Sequence, residues 1–264
     1  VWLDSHCHLT ADEFAEDRGA VLDRAEAAGV ETFIAIGSGY GVDRNARAVD
    51  LAASDPRVFA TVGVHPHEAE QLDDDRRRQL QDWLGRPRVV AVGECGLDYH
   101  YMNSPREVQR AVFAEQLAVA RRLGLPLSLH VRGDEPDAFE EMLEIWRSEA
   151  GASLEGVLHC YTGSLDFARR ALDAGLYVSF SGILTFRNAA ALRETASALP
   201  LERLMLETDA PLLAPQGLRG RRNEPAWLPR VGVVLAESLG LPVEEVARGT
   251  SRNARRLFRL PEAA

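Results

Sequence analysis

The chain carries seven histidines: His6, His8, His65, His67, His100, His130 and His159. None of them falls in the middle of a helical pattern. His6 and His8 stand two apart, and in an extended strand that spacing puts both imidazoles on one face and Cys7 on the other. His65, His130 and His159 each close or follow a short apolar run. Glu94 ends another such run, where a buried carboxylate needs a compensating cation. Asp209 follows the last run, in Leu206-Glu207-Thr208-Asp209-Ala210-Pro211. Four imidazoles (His6, His8, His130, His159) and two carboxylates (Glu94, Asp209) exceed what one tetrahedral zinc uses. They suit two divalent ions bridged by a carboxylate, with a buried structural histidine network as the alternative. Imidazoles favour Zn²⁺ and carboxylates favour Mg²⁺ or Mn²⁺, so the metal stays open among the three. Cys7, Cys95 and Cys160 each adjoin a proposed ligand. Strand alternation turns them away from it, toward small apolar packing.

Such ligands need elements that end side by side. Short β-branched runs at 1–8, 32–37, 58–64, 89–94, 127–130, 156–159, 177–181 and 203–207 read as strands. Amphipathic stretches separate them. Phe139, Met142, Leu143 and Trp146 make one helical face, as do Phe113, Leu117, Ala120 and Leu123. Gly29, Gly124 and Gly175 sit between a helix and the next strand, where a left-handed stop is usual. Eight β-α repeats in 264 residues predict an α/β fold, a single (β/α)8 TIM barrel forming one domain over 1–264. A doubly wound open sheet is the alternative. In a closed barrel the strand ends converge on one face, so the histidines would meet there. The run Asp73 to Arg78 reads as a solvated helix start, with acids toward the positive end of the dipole.

Composition removes several chemistries. All 30 basic residues are arginine, which excludes a Schiff-base lysine, a P-loop lysine and a carbamylated-lysine metal bridge. The net charge of −10 argues against electrostatic coating of nucleic acid. Two divalent ions beside two carboxylates would still leave the site itself positive. Three cysteines make no disulfide framework and point to a reducing compartment. No apolar run approaches the ~18 residues of a membrane span, and no basic-then-apolar leader opens the chain. A cytoplasmic monomer without a membrane or obligate protein partner is the expectation.

Seven motifs then appear in order: Asp4-Ser5-His6-Cys7-His8, Gly63-Val64-His65-Pro66-His67, Gly93-Glu94-Cys95-Gly96-Leu97-Asp98-Tyr99, His130-Val131-Arg132, His159-Cys160-Tyr161-Thr162-Gly163, Glu207-Thr208-Asp209-Ala210-Pro211 and Arg222-Asn223-Glu224-Pro225. Through them the chain resembles the TatD family of metal-dependent deoxyribonucleases, from Asp4 to about Asn253. The resemblance implies that His6, His8 and Asp209 hold one metal, His130 and His159 the other, and that Glu94 bridges. It implies that His65 faces substrate phosphate. A basic pair usually precedes Asn-Glu-Pro in that family, often with lysine; here it is Arg221-Arg222, which keeps the charge and changes the geometry.

Asp209 is placed to orient the attacking water and take its proton. Arg132, Arg221 and Arg222 are candidates to clamp phosphates, against the plainer reading of surface ion pairs. Glu224 either fixes a ligand histidine or pairs with an arginine. The resemblance favours a phosphodiesterase acting on DNA ends, of the 3′-5′ exonuclease type. The alternatives are a Glu-bridged bimetal amidohydrolase or esterase and a non-catalytic metal-binding scaffold.

Overall fold

The structure is a computed structural model and describes residues 1–133, 137–151 and 154–261. Its strands are β1 (Trp2–Cys7), β2 (Val30–Ile36), β3 (Val58–Val62), β4 (Val89–Asp98), β5 (Leu127–Arg132), β6 (Gly156–Leu158), β7 (Leu176–Phe180) and β8 (Leu204–Leu206). The helices are α1 (Arg18–Ala27), α2 (Arg44–Ser54), α3 (Asp74–Leu84), α4 (Arg106–Leu123), α5 (Asp137–Glu149), α6 (Leu165–Asp173), α7 (Ala190–Ser197), α8 (Leu228–Leu239) and α9 (Val243–Leu257). The strands form one sheet in chain order, and the described pairings are parallel. That order has no reversal, so the doubly wound alternative is excluded and the fold is a (β/α)8 barrel. No single helix among the described residues is long and apolar enough to cross a membrane.

The helix faces follow the expected period. Phe139, Met142, Leu143 and Trp146 are all buried on α5, and Phe113, Leu117 and Ala120 on α4. Leu123 departs from the expectation, being 45% exposed. It lies about 80° around the helix from Phe113 at 3.6 residues per turn, which takes it off the buried face. Gly124 follows with φ 66, and its N–H satisfies the carbonyls of Ala120 and Arg121. Asp73 caps α3 by accepting from the Arg76 N–H, and Arg76, Arg77 and Arg78 pair with acids three residues earlier. The run is a solvated helix start.

The chain divides into two compact units: Val1–Ala35 with His159–Asp173 and Tyr177–Ala264, and Ile36–Leu158 with Ala174–Leu176. In the first, the end of β8 is tied to the end of β1. The Asp209 N–H donates to His6 O at 3.0 Å, and the His8 N–H donates to Ala210 O at 2.8 Å. Ser5 Oγ donates to Leu206 O. Thr208 donates twice to the Asp4 carboxylate, from its N–H at 3.0 Å and its hydroxyl at 2.5 Å. Burial pushes the Asp4 carboxyl up to about 7, against those hydrogen bonds.

In the second unit, β4 runs four residues past its expected end. Gly96, beyond the run read as a strand, pairs with His130, and Asp98 pairs with Arg132. Gly96 has φ 141, and a Cβ there would overlap the His130 carbonyl. The glycine is a close approach between strands, not a stop. β3 and β6 end earlier than expected, at Val62 and Leu158, leaving His65 and His159 on the loops just beyond.

Gly63 and Gly93 pack backbone to backbone, and a Cβ on Gly63 would sit 2.7 Å from Gly93 N and Cα. These glycines precede His65 and Glu94, so their contact spaces the two site segments. Gly63→Ala should destabilise the protein by about 1–3 kcal/mol in urea unfolding, because backbone cannot yield as a side-chain tip can. Gly19→Ala, in open space on α1, should cost nothing and add up to about 1 kcal/mol. Equal effects at the two positions would show that the close approach carries no weight.

Candidate metal centre

Each unit gathers buried imidazoles around a buried carboxylate. In the first, His6 Nε2 and His8 Nε2 lie 3.6 and 3.4 Å from Asp209 Oδ1. Metal-binding atoms of these three side chains all fall within 4.8 Å of one another. Asp209 sits at φ 55, the left-handed region, immediately after β8. Burial works to raise its carboxyl, but the hydrogen bond from His8 and the nearby His6, His8 and His159 hold it below the usual carboxylate range.

His159 stacks on His6 with ring centroids 3.9 Å apart and planes 8° from parallel. Two stacked imidazolium ions would repel, so the stack disfavours protonation of both rings at once. Behind it, Glu207 Oε1 lies 3.3 Å from His159 Nδ1 and accepts from the Cys160 N–H at 2.6 Å. Glu207 Oε2 is buried with no hydrogen-bond partner among the described residues.

The second unit builds around Glu94. Glu94 Oε1 lies 2.8 Å from His130 Nδ1 and 3.4 Å from His65 Nε2. These three residues also bring metal-binding atoms within 4.8 Å of one another. Ser38 Oγ holds the Glu94 backbone from both sides, accepting from its N–H at 2.7 Å and donating to its O at 3.0 Å. His65 Nδ1 accepts from the His67 N–H at 3.1 Å, which puts the proton of the neutral ring on Nε2. Burial lowers His65 to about 4, against the pull of Glu94, so the ring is neutral at pH 7. An Nε2–H donor has the polarity that a phosphate oxygen needs.

Asp98 Oδ2 joins His67 Nε2 at 2.8 Å to His130 Nε2 at 3.2 Å. Burial alone would raise Asp98; the hydrogen bonds from His130 and His67 outweigh it and hold the carboxyl well below the usual range.

Asp98, His67, Glu207 and Ser38 were not among the residues expected at the site. Period-2 spacing from Glu94 reaches Asp98, and the same spacing back from Asp209 reaches Glu207, so both had a sequence signal. Ser38 had none, because its role is to hold another residue's backbone.

The arginines separate. Arg132 ends β5 with its guanidinium 4.7 Å over the Tyr101 ring. Arg221 is exposed and contributes a backbone hydrogen bond to Leu218. Arg222 grips the Asp17 carboxylate with two 2.7 Å bonds and lies over Phe14, and Glu224 pairs with Arg24 at 2.6 Å. The structure places Arg222 and Glu224 in ion pairs.

The donor chemistry fits divalent ions. Every ring and carboxylate named is nitrogen or oxygen, which suits Zn²⁺, Mn²⁺ or Mg²⁺. Thiolates do not compete: burial raises both Cys7 and Cys95 far from ionisation, and Cys7 Sγ is turned toward Ile34 O. Cys160 lies beyond β6 with Sγ 3.2 Å from Ser181 Oγ, so strand alternation does not govern it.

A family model described as TatD related DNase matches residues 3–259. The uncharacterized metal-dependent hydrolase YabD of Bacillus subtilis is 36% identical over 258 residues, covering 98% of this chain and 99% of that protein. A protein of Pantoea ananatis named 3′-5′ ssDNA/RNA exonuclease TatD is 38% identical over 263 residues, with 98% and 99% covered. Among solved structures, the TatD homolog YJJV of Escherichia coli K12 superposes with a TM-score of 0.91 at 33% identity, over 98% of each chain.

Asp98 gives a pH signature. Its folded pKa lies below the unfolded value, so its charge stabilises the fold above about pH 4 and that contribution is lost as acid titrates it. Urea unfolding of chelator-treated protein should show wild type ahead of Asp98→Asn by about 1–3 kcal/mol at pH 7. The gap should narrow toward pH 3. A gap independent of pH would mean that the carboxylate's charge is not what His67 and His130 hold.

Proposed function

The chain belongs to the TatD family of metal-dependent hydrolases, and from that premise we propose that it is a deoxyribonuclease that removes nucleotides from 3′ DNA ends using two divalent ions. In this reading His6, His8 and Asp209 would hold one ion, His130 and His159 the other, and Glu94 would serve both. The observation that carries it is the buried carboxylate ringed by imidazoles in each unit, Asp209 in one and Glu94 in the other. The name borne by the Pantoea relative supports the choice of a nucleic-acid end as substrate.

Bound divalent ions would lower the pKa of a water and offset the charge that builds on phosphate oxygens. The chain's own residues supply the rest. Asp209, kept ionised by the histidines around it, is a base ready to take the proton of the attacking water. His65, whose Nε2 lies 3.4 Å from Glu94 Oε1, is the neutral imidazole that would turn its Nε2–H to a phosphate oxygen. Glu207 fixes the orientation of His159, and Asp98 that of His130. Arg132, its guanidinium over the Tyr101 ring, supplies a cation in the second unit to meet a substrate phosphate.

Metal-loaded protein incubated with 3′-labelled single-stranded DNA should release mononucleotides stepwise from that end. A panel of amides and esters run in parallel should be left intact. Hydrolysis of the panel with DNA untouched would transfer the site to the amidohydrolase reading. Asp209→Asn should lose about 10²- to 10⁴-fold in rate, the usual cost of a missing general base, while keeping much of its metal. Glu94→Gln should lose metal by elemental analysis, because it removes the charge between two ions. The wild-type rate should fall below about pH 7 for a zinc-loaded site. Near-normal turnover by Asp209→Asn with both metals present would make Asp209 a ligand only.

A further inference from the structure

The segment after β4 carries two cation–π pairs of different character. Arg106 lies 4.3 Å over Tyr99, but Glu141 closes that pair: it accepts from Tyr99 Oη–H at 2.6 Å and from Arg106 Nη2 at 2.6 Å. Arg132 lies 4.7 Å over Tyr101, and there no carboxylate joins among the described residues. Tyr101 is 53% exposed, an unusual state for an aromatic ring held in place so firmly. Its backbone N–H donates to Asp98 Oδ1 at 2.9 Å, while the other oxygen of the same carboxylate contacts His67 and His130. The ring meets His67 edge-on at 5.5 Å and His100 at 4.7 Å. The β4–β5 register sets Asp98 beside Arg132, two residues past His130. One buried carboxylate thus positions both a site histidine and an open aromatic platform with a cation at its face.

A nucleic-acid strand alternates a flat base with an anionic phosphate, the complement of that pair. Building on the nuclease reading, we infer that Tyr101 and Arg132 seat the nucleotide next to the bond being cut, Tyr101 stacking its base and Arg132 meeting its phosphate. A base can stack there only when it is unpaired, so the platform selects single-stranded ends.

The test compares wild type, Tyr101→Ala and Tyr101→Phe on two labelled oligonucleotides of equal length, one normal and one lacking bases in its last two 3′ nucleotides. On normal DNA, Tyr101→Ala should raise KM roughly 5- to 100-fold with kcat within about twofold, and Tyr101→Phe should keep the wild-type KM. On the baseless end, wild type should already show the raised KM and Tyr101→Ala should add nothing. A KM unchanged by Tyr101→Ala, or a kcat loss equal on both substrates, would overturn the inference.

Binding of a strand ending in 2-aminopurine to Asp209→Asn protein reports stacking without turnover, through loss of its fluorescence. Quenching that disappears in the Asp209→Asn, Tyr101→Ala double variant supports the inference even if wild type cuts no DNA, in which case the nuclease reading alone fails. Absence of quenching with Tyr101 intact overturns the stacking role whether or not DNA is cut.

Discussion

The hydrogen bonds that tie the end of β8 to the end of β1 span some two hundred residues of chain and about one peptide of space. The Asp209 N–H reaches the His6 carbonyl, and the His8 N–H reaches the Ala210 carbonyl. Asp4 reinforces both by taking two hydrogen bonds from Thr208. Without that seam, β1 would present two imidazoles with no carboxylate and β8 a carboxylate with no cation. Burying either alone is unfavourable by several kcal/mol. The seam makes the burial tolerable by delivering the partners together, and the histidine–aspartate geometry of the first unit follows from it.

The second unit meets the same constraint differently. Its acids, Glu94 and Asp98, lie on one strand at period-2 spacing, and its imidazoles come from the loop after β3 and from β5. Close backbone approach at Gly63–Gly93 and at Gly96–His130 brings those segments within reach. Side-chain volume is given up at these glycines, and the chemistry follows one or two residues later.

Much of this was legible in the sequence, because strands and ligands obey the same alternation. The eight apolar runs placed all eight strands, and residue type at the run ends singled out His6, His8, His65, Glu94, His130, His159 and Asp209. What escaped was of two kinds. The extension of β4 through Gly96 to Asp98 is one, because glycine in a strand marks both breaks and close contacts, and only the neighbouring strand decides between them. Ser38 acts on another residue's backbone, and Arg222 is engaged by Asp17 two hundred residues away. Such pairings depend on tertiary placement, to which local periodicity is blind.

The seam also has a consequence for synthesis. A chain emerging from the ribosome makes His6 and His8 some two hundred residues before Asp209. Until then the two imidazoles have no acid to complete their set. Because the contact is so non-local, its closure comes late and gates the rest of that unit. A nascent chain that stops short of Asp209 therefore lacks the carboxylate of this cluster.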